Sequence, residues 1–255
     1  MTADLFQAIA TQTGGGMIVL LALIMVLSVV QGLFGVGLLV FGTPTLLLLG
    51  FPFQEALACL LPSSVLISAL QLWQGKGRVE LHRSLPWALP PLFLGLTLVL
   101  SGTVSVDMKF MMGLLMVLSV LVRLCAPLKE RFQKFLNRST GGYMALMGFV
   151  HGISNMGGAL LTILAASRYQ QKDDIRANIA CCYLVFGMSQ LALLALFHPE
   201  MFSIMTVALA ATSAATYGTL VQLVYLKTSE SRYQGLITLV TLCYGLVLLG
   251  HRIIS

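Results

Sequence analysis

The chain has 255 residues, 58% of them hydrophobic and only 9% charged, with a formal net charge of +6. Soluble domains carry about 25% charged residues, so a water-exposed globular surface is excluded. The positive balance could suggest nucleic acid, but the basic residues are spread through short loops between apolar runs. No nucleic-acid partner is expected, and the lipid bilayer is the medium.

The N-terminus lacks the basic start and small-residue cleavage site of a signal peptide, so no leader is expected to be removed. The first apolar region, 15–50, would run about 54 Å as one helix, well beyond the ~30 Å hydrocarbon layer. It is interrupted by "GLFGVG", Gly32 to Gly37. Folding there gives two arms of about 15 residues, each short of a full crossing. Apolar runs long enough to span follow at 55–73, 84–104 and 107–126. Leu128 to Arg138 ("LKERFQKFLNR") sets Leu128, Phe132, Phe135 and Leu136 on one helical face with basic residues opposite. It predicts an interfacial helix on the inner leaflet; a solvated charged loop is the alternative. A second broken region, 140–167, is interrupted by "GISNMGG", Gly152 to Gly158. Spans at 174–197, 202–226 and 233–250 complete the chain. Five cysteines fall within or at the ends of spans with no metal-ligand spacing, so they read as packing residues and no cofactor is expected.

Lys and Arg concentrate in cytoplasmic loops, which tests whether 140–167 crosses or returns. A crossing leaves nine basic residues inside and six outside. A re-entrant hairpin leaves thirteen inside and two outside. The hairpin is favoured, with both termini outside.

The broken regions also align with each other. Gly32 falls over Gly152 and Gly37 over Gly157, an offset of 120; "EAL" at 55–57 falls over "RAN" at 176–178; Gly113 falls over Gly235. The expected fold is an all-α polytopic membrane protein of two inverted repeats, each a glycine-broken re-entrant helical hairpin plus three transmembrane helices. Residues 1–126 form the first repeat, 127–139 the cytoplasmic amphipathic linker and 140–255 the second repeat. Inverted repeats meeting at broken helices are a transporter design.

Irregular backbone at membrane depth survives only when buried in protein or lining a wet cavity. The arm after each break starts with unpaired amides and the positive end of a helix dipole, which suits an anion. Glycines let backbone and ligand approach closely. The expected substrate-binding set is therefore Gln31, Gly32, Gly35 and Gly37 at the first tip, with His151, Gly152, Ser154, Asn155, Gly157 and Gly158 at the second. Thr43 is a further helper at the first tip. Ser154 and Asn155 could either cap the second arm or donate to the ligand. Asn178 could reach the second tip or serve as a cap. The competing reading of the glycines is close helix packing of the GxxxG kind.

Gly32-x-x-Gly35-x-Gly37, Pro44, Gly50 and Ala56, then the cluster at 152–158 followed by Ala177, resemble the TauE/SafE family of sulfite exporter-like permeases. The resemblance covers both halves in order. It departs where Leu38 follows Gly37 and where Ser154-Asn155-Met156 replaces a simpler glycine run. It implies export or other movement of small sulfur-containing anions such as sulfite, sulfoacetate, thiosulfate or a related organosulfonate, with the cell inner membrane as the expected location.

All nine acidic residues lie in loops or at span ends. His151 is then the membrane-embedded group able to exchange a proton near neutral pH, with protons as the candidate coupling ion; a neutral imidazole bonded to a neighbouring helix is the alternative. Ser63, Ser64, Ser68, Gln71, Ser189 and Gln190 are polar enough to line a path. A passive anion channel could share the same site. An intramembrane hydrolase with Ser154 as nucleophile is disfavoured, because nothing orients His151 as its base and the first cluster has no serine. No enzymatic activity is expected.

Overall fold

The computed structural model describes residues 16–103, 107–221 and 230–254, and the expectations that fall on the first fifteen residues and on Ser255 lie outside them. Among the described residues the chain is helical and has no strand. The helices are α1 (Gly16–Phe34), α2 (Leu38–Leu48), α3 (Phe53–Gln74), α4 (Leu85–Leu100), α5 (Met108–Leu124) and α6 (Ala126–Arg138) in the first part. Then come α7 (Thr140–Ser154), α8 (Gly157–Arg168), α9 (Lys172–Phe197), α10 (Ile204–Thr216) and α11 (Glu230–Ile254). Five segments are long and apolar enough to cross a membrane: α1, α3, Leu81–Leu100, α9 and Ile204–Val221. The pair α5 and α6, bent by 98°, makes a sixth if taken as one span.

Both glycine clusters break their helices. At the first, Gly35 takes φ +76° and a Cβ on Gly37 would lie 2.4 Å from the amide nitrogen of Gln31. In a continuous helix residues six apart are about 9 Å apart, so the chain folds back sharply. At the second break Asn155 takes φ 61°, and a Cβ on Gly157 would lie 2.5 Å from that of His151. Asn is one of the few non-glycine residues that enter the left-handed region readily, and its amide closes α7 on the His151 carbonyl at 2.8 Å. The arms of α7 and α8 stay together to their far ends: Tyr143 Oη donates to the Leu160 carbonyl at 2.7 Å, and Arg168 Nη2 to Thr140 Oγ1 at 2.6 Å. The first pair is less even than its sequence suggests. α1 has 19 residues and is long enough to cross, whereas Leu38–Leu48 is short.

Two of the basic loops, 74–83 and 168–176, share one face. Arg78 N donates to Asp174 Oδ1 at 2.8 Å, while Asn178 Oδ1 accepts from the amides of Glu80 and Leu81 at 2.7 and 2.8 Å. Lys76, Arg78 and Arg83 therefore lie beside Arg168, Lys172 and Arg176. The end of α9 meets the end of α4 at the other face, where His198 Nε2 stands 3.3 Å from the Leu100 carbonyl.

α7 packs most closely on α4, and its glycines are the reason. A Cβ on Gly148 would meet the Ala88 carbonyl oxygen at 2.0 Å, and one on Gly152 the Leu92 carbonyl oxygen at 2.4 Å. This is a small-xxx-small contact that brings backbones together. The segment 126–138 is a helix turned across α5, as an interfacial helix would be. Leu136 is buried, and Phe132 packs edge-on to Tyr143 at 5.2 Å.

Candidate functional site

The turns of the two tips dock at different heights on α9. A Cβ on Gly35 would touch Ile179 of α9 at 2.9 Å, whereas Asn155 Oδ1 accepts from Gln190 Nε2 of the same helix at 3.3 Å. Eleven residues of α9 separate those contacts, about 16 Å along the axis. Gly158 of the second tip, however, faces Tyr183, only four residues of α9 from Ile179, so the starts of the two following arms lie near each other. What cross between the tips are the arms that follow them. Asn155 Nδ2 donates to Thr43 Oγ1 of α2 at 2.8 Å, and a Cβ on Gly158 would fall 2.7 Å from Val40 Cγ2.

At the first tip the polar groups hold the chain. Gln31 is fully buried; its Oε1 accepts from the Leu38 amide at 3.2 Å, capping α2, and its Nε2 donates to the Ser64 carbonyl at 3.0 Å and to Ser64 Oγ at 2.9 Å. Gln71 Nε2 reaches the Gln31 and Gly32 carbonyls at 2.9 and 3.2 Å, which satisfies the end of α1. Gly32 lies under Tyr217 and Val221, and Gly37 against Gln31. The buried acceptor left over here is Gln71 Oε1. The side-chain amides of Gln31 and Gln71 are thus committed to Ser64 and to the backbone.

The second tip differs. His151, Tyr183 and Gln190 are fully buried, and Tyr183 Oη, both ring nitrogens of His151 and Gln190 Oε1 have no partner at full hydrogen-bonding geometry, although the His151 ring and the Gln190 side chain face each other. Orphaned buried polar atoms are rare and call for an explanation, such as a bound water or ion. They gather at the start of α8. His151 Nδ1 stands 3.0 Å from where a Cβ of Gly157 would be, and Tyr183 Oη 1.6 Å from where a Cβ of Gly158 would be. The His151 ring lies 5.8 Å from that of Tyr183 and 5.1 Å from that of Phe186. Gly157 and Gly158 are the first two residues of α8, whose amides have no acceptor one turn earlier. Two glycines, an imidazole and a phenol thus surround one helix N-terminus.

The other expected site residues have structural partners. Ser154 Oγ donates to the Val150 carbonyl at 2.6 Å and accepts from the Met156 amide at 3.3 Å, so it caps the break. Gly152 is occupied by α4. Asn178 is not brought to the second tip: it staples the loop at 78–81 and gives Nδ2 to the Arg78 carbonyl at 2.7 Å. Tyr183 escaped the sequence reading, although its spacing of seven from Gln190 puts both on one face of α9.

Two open cavities lie away from the tips. One of about 690 Å³ is lined by Arg123, Phe132, Ser167 and Leu239, among others. One of about 560 Å³ on the basic face is lined by Glu80, Arg83, Ser84, Arg168 and Tyr169. There the Tyr169 hydroxyl is pushed up to about 12, first by burial and then by the Glu80 carboxylate.

Apolar helices of spanning length around a buried polar interior, two of their neighbours broken at glycine clusters, fit a multi-pass membrane protein. The family model described as Sulfite exporter TauE/SafE matches residues 20–248, nearly the whole chain, and the chain belongs to that family. It is a membrane permease of the sulfite-exporter type, and the family's members are transporters rather than enzymes. No curated protein and no solved structure matches it.

Proposed function

We propose that this permease exports small sulfur-containing anions (sulfite, sulfoacetate, thiosulfate or a related organosulfonate) across the cell inner membrane, binding them at the start of α8. The observation that carries the reading is the orphan cluster of His151, Tyr183 and Gln190 beside Gly157 and Gly158. Tyr183 O–H, one imidazole N–H and the first amides of α8 are donors converging on the positive end of a helix dipole. The cluster is buried and Asn155 ties the two crossing arms together through Thr43, so a ligand enters when the arms part, which favours a carrier over an open channel.

The surrounding frame is two inverted repeats, 1–126 and 140–255, joined by the linker 127–139, each opening with a re-entrant hairpin. Three features support it: the Thr140–Arg168 contact at the ends of α7 and α8, the common face of the loops 74–83 and 168–176, and matched packing. Gly32 packs on Tyr217 and Val221, as Gly152 packs on Leu92 and Leu96, at offsets of 120 to 125 residues.

The test is sulfite efflux from proteoliposomes. Tyr183→Phe keeps the ring and loses the donor, and a tenfold or greater drop is expected. Ser64→Ala, at the first tip, should leave flux near wild type. Equal sensitivity of the two, or none at Tyr183, would move the site elsewhere.

A further inference from the structure

Resting on that reading of the site, and narrowing its ligands to hydrogensulfite rather than a sulfonate or thiosulfate, we infer that the ligand is a monoanionic hydrogen-oxyanion that keeps its own proton and donates it as a hydrogen bond inside the site. The argument is an inventory of the orphaned atoms. A neutral imidazole has one N–H donor and one bare acceptor nitrogen, a phenol can donate and accept, and a carboxamide oxygen only accepts. Gln190 Nε2 donates to Asn155 Oδ1, and its side chain faces the His151 ring. The site therefore offers donors from Tyr183, His151 and the start of α8, together with two acceptors, Gln190 Oε1 and one imidazole nitrogen, that no group of the chain engages at full hydrogen-bonding geometry.

A fully ionised oxyanion has acceptors only. It would satisfy the donors and leave Gln190 Oε1 facing negative oxygen, an unsatisfied buried acceptor made worse by repulsion. A hydrogen-oxyanion fits both sets. Its ionised oxygens take the donors, and its O–H goes to Gln190 Oε1 or to the imidazole. Charge points the same way, since the idealised cost of burying an ion rises with the square of its charge, roughly fourfold for a dianion. Against the His151 ring stand Tyr183, Phe186 and Gln190 of α9 and Gly157 of α8; of these Tyr183 alone titrates, and charges from carboxylates or basic side chains are not among them. The ligand then carries one proton with each anion. A pH gradient drives flux without any protein side chain having to titrate.

The experiment uses the purified full chain in proteoliposomes, with rates taken above those of protein-free vesicles. Sulfite flux is measured at constant total sulfite while pH converts hydrogensulfite to sulfite, beside methanesulfonate, a monoanion without an O–H, and sulfate, a dianion. Flux should follow the hydrogensulfite concentration and fall tenfold or more across the titration. Methanesulfonate should move at least tenfold more slowly than hydrogensulfite and without pH dependence, sulfate should not move, and a trapped pH dye should report one proton per sulfite. Gln190→Met removes the acceptor and should erase the preference for hydrogensulfite over methanesulfonate, a ratio that does not depend on how much protein inserts. His151→Gln should slow transport while leaving its pH dependence in place. Flux that tracks total sulfite at every pH, or methanesulfonate carried as fast as hydrogensulfite, overturns the inference and leaves the site standing. Sulfite flux unaffected by Tyr183→Phe defeats the site, and this inference with it, as does the absence of sulfite flux at any pH.

Discussion

The tightest point of the site is the gap between Gly158 and Tyr183, and a single methyl group tests it. In Gly158→Ala the new Cβ would stand 1.6 Å from Tyr183 Oη, 2.6 Å from its Cζ and 2.7 Å from Val40 Cγ2. Ordinary contacts begin near 3.5 Å, so the hydroxyl must retreat by about 2 Å. Tyr183 is fully buried against His151 and has little room to do so. Overpacking of this kind costs about 1–3 kcal/mol of stability. Displacing the hydroxyl also removes a donor to a charged ligand, about 1.5–3 kcal/mol, or roughly ten- to a hundredfold in affinity at 1.4 kcal/mol per decade. The assay is sulfite binding by calorimetry on detergent-purified protein, with thermal unfolding in parallel, on Gly158→Ala, Tyr183→Phe and the double variant. Once the hydroxyl is gone the methyl meets only the ring edge and Val40, so the second change should cost less in binding than it does alone. A coupling of about 1 kcal/mol or more is expected for groups in contact. Strictly additive losses, or wild-type binding by Gly158→Ala, would refute the placement of Tyr183 Oη over the start of α8.

Asn155→Leu removes the bonds to Thr43 and Gln190 and puts a branched side chain at φ 61°, a strain of about 1–2 kcal/mol. It should abolish sulfite flux in proteoliposomes while the protein still inserts and purifies, and retained flux would detach the tip from the site. Gly148→Ala drives a methyl into the Ala88 carbonyl, 2.0 Å away, and should lower the melting temperature of the detergent-purified protein by several degrees. Gly218→Ala, with nothing within 4 Å, should leave it unchanged; equal effects would undo the account of α7 against α4. In a background lacking the native cysteines, single cysteines at Lys76 and Lys172 should react with impermeant reagent from the cytoplasmic face, and one at His198 from the opposite face. Labelling of 76 and 172 from different sides would sink the hairpin and the inverted repeat together.

Much of this protein can be read along one dimension. Apolar runs of spanning length, thirteen basic residues assignable to one face and two glycine clusters 120 residues apart specify a multi-pass protein with two broken helices. They do so because the membrane filters sequence by local rules: hydrocarbon excludes charge, and unpaired backbone needs a special setting. The family resemblance rests on those same local patterns. The chemistry of the glycines and polar residues was not fixed in this way. Gly152 and Gly158 look alike in the sequence, but one lies against the backbone of α4 and the other beneath a buried phenol. Gln31 and His151 occupy matching places in the repeat, yet Gln31 is bonded to Ser64 and Leu38 while neither His151 nitrogen has a partner at full hydrogen-bonding geometry. Whether a buried polar atom is satisfied depends on what another segment, tens of residues to a hundred or more away in the chain, sets within 3 Å of it. Whether the two tips dock at one height or two depends on where each packs along α9. Those are properties of the packed tertiary structure, and local pattern carries no record of them.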